Sequence, residues 1–171
     1  MEKKEYWIGP LYGKDSKRLE VSIRRFLLKN SDVLRLTRMC YRENFFNIKG
    51  DNHDPIFIHV KKNLQKYFIK KVRSNKRFND ISQGKNISFE HYFYKLSKKI
   101  RDLINKETLF YYVPALHPKD NFYGFEDPTF YKKDRMIGCV ISHEKMVAIY
   151  LSDYEKNTLE KKSISFISTE N

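Results

Sequence analysis

The chain has 171 residues, 40% of them apolar and 15% aromatic, and a formal net charge of +13. That apolar content lies far from the signature of disorder and suffices for one ordinary core, while no run approaches the roughly 18 apolar residues that span a bilayer. The charge is lopsided: residues 1–105 carry 25 Lys+Arg against 11 Asp+Glu and residues 106–171 carry 9 against 10, so the whole excess sits in the first part and favours an anionic partner.

The opening Met1-Glu2-Lys3-Lys4-Glu5-Tyr6-Trp7-Ile8 lacks the apolar stretch of a secretory signal, so a cytoplasmic protein is expected. Trp7 to Gly13, punctuated by Gly9 and Pro10, reads as an irregular segment packed on the domain. A first helix follows, with Asp15 or Ser16 as cap and Leu19, Ile23, Phe26 and Leu27 at helical spacing. Ser31 to Tyr41 is expected as a second helix burying Val33, Leu34, Leu36, Met39 and Cys40.

After the turn at Gly50 to Asp54, the pair Asp54-Pro55 predicts a third helix running to about Ser74. Beyond the polar loop Asn79 to Lys85, Ser88 caps an expected fourth helix with Phe89, Tyr92, Phe93, Leu96, Ile100, Leu103 and Ile104 on one face. From Thr108 the character changes. Leu109 to Val113, Met136 to Ser142 and Lys145 to Leu151 read as strands, the last two joined by a turn. Ser152 and Glu155 fit a capping box that opens a final helix to about Lys162. The predicted class is α+β, with N-terminal helices packed on a small antiparallel C-terminal sheet and a final helix, in a single domain over 1–171. Its basic helical part is residues 1–105 and its sheet-containing part residues 106–171.

On the third helix, Lys62, Lys66, Lys70, Arg73 and Arg77 would form a cationic ridge opposite a buried face of Phe57, Val60, Leu64, Tyr67, Phe68 and Val72. Such a ridge suits phosphates or an acidic protein, and equally an ordinary solvated surface. Glu126-Asp127 before Pro128 reads as a turn or cap rather than an acid–base pair. His143-Glu144 reads as turn residues, because neighbours in a tight turn point apart. Cys40 and Cys139 fit buried free thiols. No glycine-rich phosphate loop, nucleophile elbow or short-spaced metal ligands occur. No cofactor, no metal and no catalytic residue are therefore expected.

Glu126-Asp-Pro-Thr-Phe-Tyr131, Met136-Ile-Gly-Cys-Val-Ile-Ser-His-Glu144 and Val147-Ala-Ile-Tyr-Leu-Ser-Asp-Tyr-Glu155 together resemble the C-terminal part of small bacterial immunity-type proteins associated with polymorphic toxins. The resemblance implies a compact, non-catalytic cytoplasmic protein that neutralises a toxin by covering its active surface. The basic charge of this chain would then favour an acidic toxin domain over a basic nuclease. The alternative is RNA or DNA binding through the basic helix 54–77.

Overall fold

Val33, Arg35 and Thr37 alternate with Leu34, Leu36 and Arg38, a period of two that places the two sets on opposite faces of a strand. In the computed structural model, which describes residues 2–11, 14–41, 61–76, 87–106, 126–142 and 144–167, this period recurs in seven strands. The strands are β1 (Lys4–Ile8), β2 (Val33–Tyr41), β3 (Phe68–Ser74), β4 (Ile87–Lys95), β5 (Glu126–Lys132), β6 (Arg135–Ile141) and β7 (Met146–Leu151). They form one sheet in the order β1-β7-β6-β5-β2-β4-β3, and every pair is antiparallel. The helices are α1 (Ser16–Asn30), α2 (Lys98–Lys106) and α3 (Asp153–Glu160).

The class is α+β, but the expected arrangement is corrected. The sheet is large, and four of its seven strands come from residues 1–105, the part expected to be helical. Within the expected second helix, Val33–Tyr41 is a strand: its apolar residues fall on both faces, and β-branched Val33 and Thr37 favour the pleated form. The expected fourth helix divides. Residues 87–95 form β4, with Tyr92 and Tyr94 on one face and Phe89, His91 and Phe93 on the other, and only Lys98–Lys106 is helical. The N-terminal segment contributes a regular edge strand, β1, and Glu126–Lys132 is a strand where a turn was expected. The antiparallel pairing of β6 with β7, ending at Ile141 opposite Met146, and the capping box are as expected. Glu155 N donates to Ser152 Oγ at 3.3 Å, and Ser152 N donates back to Glu155 Oε2 at 2.9 Å.

One face of the sheet carries the core. Ile8, Val147, Ile149, Val140, Phe130, Leu34, Leu36, Tyr92 and Tyr94 meet Ile23, Leu27 and Leu28 of α1, Ile100 and Ile104 of α2 and Leu159 of α3. Helix α1 carries the chain from the β1 edge across the sheet to β2, the strand between β5 and β4. Helix α1 packs on Gly138 of β6, where an added Cβ would lie 2.7 Å from Leu27 Cδ2 and 2.9 Å from the Ala148 carbonyl oxygen. Asp15 precedes α1 without a side-chain capping bond. Arg101 Nη2 instead donates at 2.6 Å to the Ser31 carbonyl just beyond the helix end, tying α2 to α1.

The two ends of the sheet differ. At β1, Ile167 N donates to the Trp7 carbonyl at 2.7 Å, so the C-terminal segment closes part of that edge. At the other end β3 is the outermost of the described strands, and Phe68 through Arg73 are all exposed.

Candidate functional site

The basic residues expected on a third helix occupy a different structure. Residues 61–64 make a helical turn and Gln65–Tyr67 a 3-10 turn; β3 then begins at Phe68. Leu64 is fully buried and anchors the turn. Tyr67-Phe68-Ile69, with two aromatics and a β-branched residue, favours extension over continued helix. The single-sided ridge is thereby corrected. Lys62 and Lys66 are exposed on the turns, whereas Lys70 and Arg73 leave opposite faces of a strand, because three residues apart is an odd step in a period of two. Arg77 and the helix start at Asp54-Pro55 lie outside the described residues.

The register fixes each side chain's neighbours. Lys70 stands opposite Phe93, Lys71 opposite Tyr92, Val72 opposite His91 and Arg73 opposite Glu90, after an irregularity between Phe68 and Lys70. Lys70 Nζ lies 5.1 Å from the Phe93 ring centroid, and Lys71 Nζ 5.7 Å from that of Tyr92. Lys71 Nζ also donates to Glu90 Oε1 at 3.0 Å, and the Tyr92 hydroxyl donates to Glu90 Oε2 at 2.7 Å. Burial opposes the charge on Glu90, but these two bonds and the nearby Lys71 and Arg38 charges outweigh it and hold its pKa below the ordinary carboxylate value.

Residues 61–76 carry seven cations, Lys61, Lys62, Lys66, Lys70, Lys71, Arg73 and Lys76, and no Asp or Glu; all seven are exposed. Apolar exposure gathers on the same strand. Phe68 is 40% exposed, Ile69 49% and Val72 40%, and these are three of the five large exposed apolar residues among those described. The sequence reading placed Phe68 and Val72 in a buried helix face and left Lys71 out of the ridge. The β-branched Ile69 and Val72 within Phe-Ile-Lys-Lys-Val-Arg were the available signal for a strand.

A second polar group lies on the sheet face opposite the helices, in the middle of β2, β4, β5 and β6. Arg35 Nη2 donates to Thr129 Oγ1 at 2.8 Å, and its guanidinium lies 5.9 Å from the Tyr131 ring centroid. The Thr129 hydroxyl is 3.1 Å from the Asp127 carbonyl oxygen and 3.2 Å from Cys139 Sγ. The buried His91 bridges Thr37 Oγ1, 3.1 Å from Nδ1, and the Lys76 carbonyl, 3.0 Å from Nε2. A carbonyl only accepts, so Nε2 carries the proton and Nδ1 accepts from Thr37. Burial first and the Arg35 charge second lower the His91 pKa, opposed by the Lys76 carbonyl and Asp127. Both ring nitrogens are engaged, which suits a fixed neutral histidine rather than a proton shuttle.

The other expected positions gather no chemistry. Glu144 is exposed in the β6–β7 turn, Cys139 is a buried free thiol, and Asp127 and Ser142 bond each other's backbone. His143, the side chain of Cys40 and the expected strand Leu109 to Val113 lie outside the described residues. Among the described residues no group of three or more His, Cys, Asp or Glu is placed to hold a metal ion, and no helix is long and apolar enough to cross a membrane. No protein-family model matches the sequence, and neither a curated protein nor a solved structure gives a match.

Proposed function

We propose that the chain is a non-catalytic, immunity-type binding protein that acts in the cytoplasm and neutralises a protein toxin by covering an acidic surface of its toxic domain. The observation that carries this reading is the exposed segment 61–76, with seven cations, no acid and three apolar side chains between the charges. Cations alone would serve phosphates as well. Desolvated apolar contact between them is the signature of a protein interface, where charge steers approach and apolar anchors hold the complex. The resemblance of residues 126–155 to immunity-type proteins supports the same reading.

The experiment is co-expression with an acidic toxin domain sought among the genes that neighbour this one. Wild-type chain restores growth; a Lys70→Glu, Lys71→Glu, Arg73→Glu variant that remains folded does not. Rescue by that variant at wild-type level overturns the reading. RNA or DNA binding by Lys62, Lys66, Lys70 and Arg73 is the second reading, favoured by the same run of cations. It requires retention on a single-stranded oligonucleotide column that falls steeply between low and physiological salt. The separation of Lys70 from Arg73 across the strand weighs against a ridge that follows one phosphate backbone.

A further inference from the structure

We infer that β3 is a docking edge that takes one added strand, an extended segment of the partner bearing acidic residues opposite Lys70, Lys71 and Arg73 and an apolar residue opposite Val72. This rests on the protein-binding reading above and specifies how the contact is made.

Three observations lead there. First, β3 is the outermost described strand at its end of the sheet, so alternate backbone amides and carbonyls point away from β4, its one neighbour in the strand order. Second, its exposed side chains project on both faces. By register, Lys70 and Val72 lie on the face of Phe93 and His91, and Lys71 and Arg73 on the face of Tyr92 and Glu90. A partner resting on one face of the sheet would reach half of them, whereas a strand laid along the edge faces both sets. Third, the charge is of one sign. Glu90, opposite Arg73 in the register and bonded to Lys71, is the one acid in β4, so a single largely buried carboxylate faces the three cations Lys70, Lys71 and Arg73.

The same charges exclude a second copy. Pairing β3 with itself would set three cations against three cations, the device by which natural sheets block edge-to-edge aggregation. They select an acidic strand for the same reason. In antiparallel pairing the complement to Lys70-Lys71-Val72-Arg73, read from its N-terminus, is acid–apolar–acid–acid. Backbone bonds then supply affinity and the alternate side chains supply the sequence preference, as in other strand-addition complexes.

The probe is a cyclised β-hairpin presenting Glu-Val-Glu-Glu on its free edge, preorganised so that little ordering cost remains. A twin with the same charge carries N-methyl groups on its two outward amides. The hairpin binds wild-type protein and slows hydrogen exchange of the outward amides of β3. N-methylation lowers affinity by at least about tenfold, as expected for two lost backbone bonds. Arg73→Pro, which removes an outward amide of the edge, lowers affinity further than Arg73→Gln, which removes only the charge. Equal binding of the methylated twin overturns strand addition while leaving charge-driven docking intact. Failure of both peptides to bind overturns it as well, and the growth-rescue assay separately reports whether the charged segment matters. A dimer of the free protein that Arg73→Pro dissolves and Arg73→Gln does not would assign the edge to a second copy and overturn the inference too.

Discussion

Asp127 and Ser142 each hold the other's backbone across the entrance of the β5–β6 pair. Ser142 N donates to Asp127 Oδ1 at 2.9 Å, and Asp127 N donates to Ser142 Oγ at 3.0 Å, both fully buried. Asp127 has φ +47, a conformation that aspartate and asparagine tolerate better than other residues with a β-carbon. Asp127→Ala therefore strands a buried amide and strains the backbone, costing about 1–3 kcal/mol. Asp127→Asn keeps an acceptor and the tolerated φ and costs less. Urea unfolding of the two variants makes the comparison, and equal losses would refute the role assigned to the carboxylate.

The Lys71–Glu90 pair is unequal, and its two halves should report it. Glu90 is 5% exposed and serves Tyr92 and Lys71 beside the buried Arg38, whereas the Lys71 side chain is 46% exposed. Glu90→Ala leaves the Tyr92 hydroxyl without its acceptor and Arg38 without the carboxylate that faces it, a loss of about 3 kcal/mol. Lys71→Ala removes a solvent-screened contact, a loss below about 1 kcal/mol. Thermal or urea midpoints that rank the two in the opposite order would show that the carboxylate is dispensable.

His91 makes stability depend on pH in a defined window. Its folded pKa is lowered from 6.5, so above 6.5 the ring is neutral in both states and contributes no slope. As pH falls below 6.5 the unfolded chain takes up the proton first, and stability is lost until the folded pKa is passed. His91→Gln should have a flatter stability profile between pH 7 and about 5 than the wild type. Glu90 and Glu155, with pKa values lowered below 4.5, lose their contributions only in more acidic solution. Parallel profiles for the two proteins would dismiss the assignment.

Gly138 is set by contact rather than by backbone angle. With α1 seated on it and Leu27 Cδ2 2.7 Å from a modest β-carbon, Gly138→Ala must push the helix outward or distort β6. The expected cost is about 1–3 kcal/mol. Leu27→Ala in the same background makes room and should recover part of that loss relative to the sum of the single changes. Strict additivity in denaturant unfolding would place the strain elsewhere.

The later part of the chain was the legible part. Met146–Leu151 and Arg135–Ile141 are short, apolar and joined by a turn, and Ser152 with Glu155 announces a helix through local bonds alone. The earlier part misled because its strands bear useful side chains on both faces. In β4, Tyr92 and Tyr94 enter the helix-side core while Phe89 and His91 are buried on the other face. An apolar run of that kind satisfies helical spacing as readily as alternation. For β3 the charges were legible from composition, but their division between two faces depends on pairing with β4, a neighbour that local sequence does not reveal. The Arg35, Thr129, Thr37 and His91 group was out of reach for the same reason, since its members come from three strands brought together by the sheet order.

The bond from Ile167 N to the Trp7 carbonyl bears on valency. A sheet open at both ends can be extended from either side, and each addition creates a fresh end, which is the route to filaments. Here one terminus is partly stoppered by the Ile167 segment and the other carries cations that oppose its like, so strand addition at β3, as proposed, would halt after a single step. Complexes formed through this molecule should accordingly have fixed one-to-one stoichiometry at any concentration, a property suited to silencing a single target molecule and ill suited to scaffolding.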